Sequence, residues 1–206
     1  MQVRKNYIVS RHEVGHFLAL LATGVYNEFE SMNVIPTNNQ LGTLKRSGEA
    51  LLAYRQLIVN ALGNGTLDQF RADKATQLKY VLPQICYFLG GGAIDNHFGC
   101  ESDDRNSIDV NELKQLLGAL FITDVNENDV ADLKEMVYPF LSGMVDKYST
   151  IIECLTDSLS NKEFLSKEDT DSILGEWISS NNNLNVDTEY AELLEKATIW
   201  LEKRLG

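Results

Sequence analysis

Three residues near the start of the chain have the types and spacing to do chemistry together. They are His12, Glu13 and His16, within Arg11-His12-Glu13-Val14-Gly15-His16-Phe17-Leu18-Ala19-Leu20. In a helix of 3.6 residues per turn, positions 12 and 16 lie one turn apart on one face. Two imidazole nitrogens so placed can reach one zinc ion at about 2.0–2.1 Å, which leaves Glu13 beside the metal as a general base. The chain has three histidines, and two of them sit here. The pattern predicts a zinc-dependent hydrolase. Zinc would lower the pKa of a water to about 7. Glu13 would take that water's proton and pass it to the leaving amine. A catalytic zinc needs three protein ligands and an open position, so a distant carboxylate is expected as the third.

The elements that must position these residues read as mainly α, a helical domain with one short β-hairpin next to the motif helix. Ser10 is a candidate N-cap for that helix, with Glu13 three residues on as in a capping box, a competing role for Glu13. Gly24 can take the left-handed position that ends it. Met32–Pro36 and Leu41–Lys45, joined by Thr37-Asn38-Asn39-Gln40, predict the hairpin, whose extended edge could accept a peptide as an added strand. Residues 48–62 and 66–89 read as helices divided by Gly63-Asn64-Gly65, with Pro83 expected to kink or restart the second. The small residues of Leu89-Gly90-Gly91-Gly92-Ala93 permit close packing of a helix or a metal site. Glu101–Asn106 reads as an acidic loop before a helix starting near Asp109, with Leu113, Leu116, Leu117 and Leu120 facing inward. After a turn at Asn126–Asp129, a long helix is expected over Val130–Leu159, with Pro139 as its breaking point. Lys167–Trp177 reads as a short helix. The domain is expected to span 1–178, followed by a polar linker at 179–187 and an amphipathic helix at 188–206.

Composition narrows the partners. At 206 residues, one domain buries roughly 70% of its unfolded surface. A formal net charge of −12 argues against nucleic acid and against an anionic membrane surface. Cys86, Cys100 and Cys154 are odd in number and lack C-x-x-C spacing, which suits free thiols in a reducing, cytoplasmic setting, with Cys86 a core residue. The run Phe17–Ala22 is too short to span a bilayer, so no membrane insertion is expected. No G-K-[ST] occurs in the chain, so no P-loop is expected.

With these segments in order, the chain resembles the peptidase domain of the FtsH-type ATP-dependent zinc metalloproteases. Their His-Glu-x-Gly-His helix is matched by His12-Glu13-Val14-Gly15-His16. Their Ile-Pro…Leu-Gly-x-Thr segment is matched by Ile35-Pro36 and Leu41-Gly42-Thr43-Leu44. Their Leu-Gly-Gly-Arg-Ala-Ala-Glu-Glu…Phe-Gly segment is similar to Leu89-Gly90-Gly91-Gly92-Ala93-Ile94-Asp95-Asn96…Phe98-Gly99. A helix opening Asn-Asp-Leu is similar to Asn111-Glu112-Leu113, and a C-terminal Leu-x-x-x-Glu-x-Leu pattern is echoed by Leu159…Glu163-Phe164-Leu165. The likeness runs, with gaps, from about residue 8 to 175. Gly92 stands where the family has arginine, and more residues separate the hairpin from Gly90 than the family usually has.

The resemblance implies a zinc endopeptidase acting on peptides or unfolded protein, with Zn2+ held by His12, His16 and Glu112. Glu112 would replace the family's aspartate with a side chain one methylene longer. Asp109-Val110-Asn111-Glu112 is also a capping-box pattern, so Asp109 is the next ligand candidate and His97 the third. Asp95 or Asn96 is implied as the group orienting a ligating imidazole. The motif begins eleven residues from Met1, so the family's ATPase and membrane anchor are not expected ahead of it. The family's rings leave a homo-oligomer open. A second reading stands beside the first: a peptidase-like binding or regulatory module, working with a separate ATPase or as an oligomer.

Overall fold

From Val14 to Ala22 the motif helix is apolar on nearly every side, and a helical stretch without a polar face is a buried one. In a computed structural model, which describes residues 2–36, 41–100, 103–121, 125–181 and 187–205, it lies at the centre of the molecule. This helix, α1 (Gln2–Ala22), buries Val9, Val14, Phe17, Leu18, Ala19 and Leu20. It starts eight residues before the expected cap at Ser10, which is fully buried in the helix interior. Neither Ser10 nor Glu13 therefore caps a helix start, because burying the turn that contains Val9 outweighs stopping at a serine. The C-terminus does end as expected. Gly24 sits at φ +74°, the Val25 N–H donates to the Leu20 carbonyl at 3.0 Å, and the Gly24 N–H donates to Leu21 at 3.3 Å. These two bonds are those of a Schellman motif.

A 3-10 turn at Tyr26–Glu28 leads into a small antiparallel sheet made of β1 (Phe29–Asn33), β2 (Thr43–Arg46) and β3 (Phe164–Ser166), in the order β2-β1-β3. The hairpin exists, but its first strand lies earlier than the expected Met32–Pro36, and its second starts and ends later than the expected Leu41–Lys45. Met32 pairs with Leu44 and Asn33 with Thr43, and β1 ends before Pro36. Burial explains the shift, since Phe29 and Met32 are 1% and 0% exposed and pull the strand toward its N-terminal end. The connecting residues Thr37–Gln40 lie outside the described residues. The third strand pairs Met32 with Leu165 and was not expected from the sequence. Three residues are too few to show a period-2 pattern.

The helices that follow are α2 (Glu49–Gly63), α3 (Leu67–Ala72) and α4 (Lys74–His97). The break expected at Pro83 falls at Asp73 instead, whose carboxylate accepts from the Thr76 N–H at 3.0 Å and from the Thr76 hydroxyl at 2.6 Å. Helix α4 runs on through Pro83 and through Gly90-Gly91-Gly92. A proline inside a helix costs about 3 kcal/mol, and here Leu82, Ile85, Cys86 and Leu89, all buried, offset it.

Next come α5 (Asp103–Phe121), α6 (Glu127–Lys147), α7 (Ser149–Lys162), α8 (Lys167–Asn181) and α9 (Asp187–Leu205). Helix α5 begins six residues before Asp109, so residues 103–106 are helical rather than a loop and Asp109 is no cap; residues 101–102 lie outside the described residues. Leu113, Leu116 and Leu117 are buried as expected, while the Leu120 side chain lies outside the described ones. Asn126 and Asp129 form a capping box that starts α6. The long helix expected over 130–159 is divided at buried Tyr148, not at Pro139, which α6 contains. Residues 179–181 of the expected linker belong to α8, and 182–186 lie outside the described residues.

The result is mainly helical with a three-stranded antiparallel sheet. Helix α1 packs on α4, α6, α7 and the sheet, and α5 and α9 pack on α4. Leu193, Ala197, Trp200 and Leu201 of α9 are buried in the same core as α1 and α4. Among the described residues no helix is long and apolar enough to cross a membrane.

Candidate metal centre

Helices α1 and α4 touch backbone to backbone where both lack side chains. A Cβ on Gly15 would lie 2.5 Å from the Gly90 carbonyl oxygen, and one on Gly90 would lie 2.5 Å from that of Gly15. Either position is closed to alanine unless the helices separate, because the obstacle is backbone. One residue on, a Cβ at Gly91 would stand 2.4 Å from Cε1 of His12. The small residues of α4 thus make room for an imidazole.

That crossing sets both histidine rings. His12 Nδ1 lies 2.8 Å from Oδ2 of Asp95, which is fully buried, and His16 Nδ1 lies 2.7 Å from the Tyr87 backbone carbonyl. A carbonyl only accepts, so His16 Nδ1 carries a proton, and in the neutral ring Nε2 keeps the lone pair. The Asp95 carboxylate acts in the same way on His12. The implied orienting role falls to Asp95, and Asn96 is exposed.

The two Nε2 atoms face each other at 3.2 Å. Asp109 Oδ2 lies 3.0 Å from Nε2 of His12 and 3.4 Å from Nε2 of His16. Donor atoms placed about 2.0–2.1 Å from a tetrahedral zinc are separated by about 3.3–3.4 Å, the edge of that tetrahedron. The observed edges bracket this length, and the two imidazoles and one carboxylate are the donor set of a hydrolytic zinc site. The residues therefore fit the metal.

The converging carboxylate is Asp109, in the place expected for Glu112. Glu112 lies one turn further along α5, outside the cluster but lining the same cleft. His97 is elsewhere, with Nδ1 2.6 Å from Ser142 Oγ and Nε2 3.5 Å from Asp146. Glu13 is 5% exposed and lines the cleft; Gly42 lies against it, since a Cβ there would be 2.6 Å from Glu13 Oε1. The far wall is Leu41, Gly42, Thr43 and Leu44, leading into and along the edge strand β2. Tyr87 was not singled out in the sequence. It orients His16 through a backbone carbonyl, which every residue has, so residue type carries no signal of it.

Without a metal, these groups hold protons. Burial pulls the His12 imidazole down, but its hydrogen bonds to Asp109 and Asp95 outweigh this and raise its pKa to about 9. Burial likewise opposes charge on His16, and Asp109 more than compensates, so its pKa is also raised. Burial would lift Asp109, and the neighbouring imidazoles hold it well below the usual carboxylate range. For His12 the charged form stabilises the metal-free fold fully below its unfolded value of 6.5, and that contribution is lost as pH rises through about 9. Zinc must displace such protons. Its apparent affinity is therefore expected to rise about tenfold per pH unit for each proton released, until pH passes about 9. Competition against a chromophoric chelator at several pH values measures this.

Comparison with models of known protein families, with curated proteins and with solved structures returned no match to this chain. The functional reading accordingly rests on the geometry of the cleft.

Proposed function

We propose that this chain is a zinc-dependent endopeptidase that hydrolyses unfolded or flexible peptides, with a site like that of the FtsH-type peptidases. The observation that carries the reading is the meeting of His12 Nε2, His16 Nε2 and Asp109 Oδ2 within 4.8 Å of one another, in a cleft that Glu13 also lines. Bound there, zinc would act as a Lewis acid on the scissile carbonyl and lower the pKa of a water. Asp95 and the Tyr87 carbonyl hold the two ligating rings in the tautomer that presents Nε2. Glu13, seated against Gly42 beside that position, receives the proton of the attacking water on its carboxylate and returns it to the leaving amine. The strand edge at Leu41–Leu44 offers main-chain groups to an extended substrate, which suits peptides lacking structure of their own. Gly15, Gly90 and Gly91 support the likeness, because the glycines of the resembling motifs stand where the two helices and His12 require them.

The test is cleavage of an unstructured protein such as casein by the zinc-loaded chain. Fragments should appear with zinc, cease on chelation and return on adding zinc back. An absence of zinc-dependent fragments would leave the cleft a binding site rather than a catalytic one.

A further inference from the structure

Glu112 takes no part in the cluster, yet it lines the cleft one helical turn beyond Asp109. It is exposed, and among the described residues it makes no hydrogen bond or ion pair. Its carboxylate is close enough to Tyr87 for its charge to help hold that phenol's pKa up, after burial and alongside Glu13 and Asp109. Among the described residues, those lining the cleft include three carboxylates, those of Glu13, Asp109 and Glu112, and no lysine or arginine. The cation behind this wall is Arg46, whose guanidinium lies 3.9 Å from the centre of the Tyr87 ring and is matched by Glu28 at 3.7 Å.

With both imidazoles neutral, the carboxylates of Asp95, Glu13 and Asp109 already exceed the charge of a divalent ion, and Arg46 is matched by Glu28. Among the described residues, Glu112 adds a further negative charge on the side of the cleft open to a peptide. We infer that Glu112 determines specificity: the cleft takes peptides that carry a lysine or arginine side chain close to the segment seated along Leu41–Leu44. This rests on the cleft being a peptide site, as proposed above. An exposed ion pair is worth up to about fivefold in affinity, and replacing attraction by repulsion brings the contrast between a basic and an acidic side chain to about tenfold at low salt.

The experiment uses the full chain as Glu13→Gln, loaded with zinc, so that peptides bind without being cut. Fluorescence anisotropy is read on labelled, unstructured peptides that differ at one scanned position, bearing lysine, norleucine or glutamate. At the preferred position lysine should bind about tenfold more tightly than glutamate at low salt, and less so at high salt. Adding Glu112→Gln should bring that ratio close to one, and Glu112→Lys should reverse it. An unchanged ratio in Glu112→Gln, or no discrimination by the parent protein, overturns the inference. So does loss of zinc from Glu112→Gln, which would make Glu112 a ligand. Cleavage without charge preference would sink this inference and leave the peptidase reading standing; charge-selective binding without zinc-dependent cleavage would do the reverse.

Discussion

Glu13→Gln is expected to lower kcat for peptide hydrolysis by about 10²–10⁴-fold, the range associated with a positioned general base, while zinc stays bound. Glutamine keeps the size and shape of the side chain but cannot accept the water's proton. The structure makes the substitution a clean one. Glu13 is 5% exposed and its Oε1 rests against Gly42, so a bulkier or shorter residue would disturb the wall of the cleft, whereas glutamine preserves its volume. The loss should fall on kcat with KM little changed, because the proton transfer belongs to the transition state and not to substrate binding. Zinc per chain, measured by atomic spectroscopy on both proteins, separates a lost base from a lost metal. Equal cleavage by Glu13→Gln and the parent would remove Glu13 from the chemistry.

The second large effect concerns the third ligand. Asp109→Ala should weaken zinc binding by more than about 100-fold, since altering even the groups that orient a ligand costs 10–100-fold. Glu112→Ala should change it far less. The distances decide the order: Asp109 Oδ2 lies 3.0 and 3.4 Å from the two Nε2 atoms, and Glu112 lies outside that cluster. Asp109→Asn serves as the companion variant, because it keeps the size of the side chain while removing its charge. Circular dichroism of the metal-free proteins checks that each still folds. The reverse order of affinities would restore Glu112 to the ligand set.

How far each feature could be read from the sequence depends on the distance over which it is encoded. His12, Glu13 and His16 occupy just over one helical turn, so their convergence follows from the 3.6-residue repeat alone. The end of α1 at Gly24 is equally local. Element starts were harder to read where a plausible cap competed with burial. Ser10 looks like a cap and Asp109 like the first residue of a capping box, yet both lie inside helices that begin at Gln2 and Asp103. The two prolines expected to interrupt helices, Pro83 and Pro139, do not, because buried neighbours on the same helix hold each one in place. The strand at Phe164–Ser166 exists through its pairing with Ser31, Met32 and Asn33, more than 130 residues earlier, and nothing within three residues could announce it.

The sequence by itself determined that two imidazoles and a carboxylate lie together on one helix and that the small residues near position 90 permit a close approach. Tertiary structure alone decided which carboxylate meets the imidazoles. Asp109 stands four residues before Leu113, and Glu112 four before Leu116, so both lie along the apolar stripe of α5 and periodicity does not choose between them. The choice comes from how α5 lies on α4 and how α4 crosses α1 at Gly15 and Gly90, a relation among three helices that no single segment encodes. It turns Asp109 toward the two Nε2 atoms and leaves Glu112 at the mouth of the cleft.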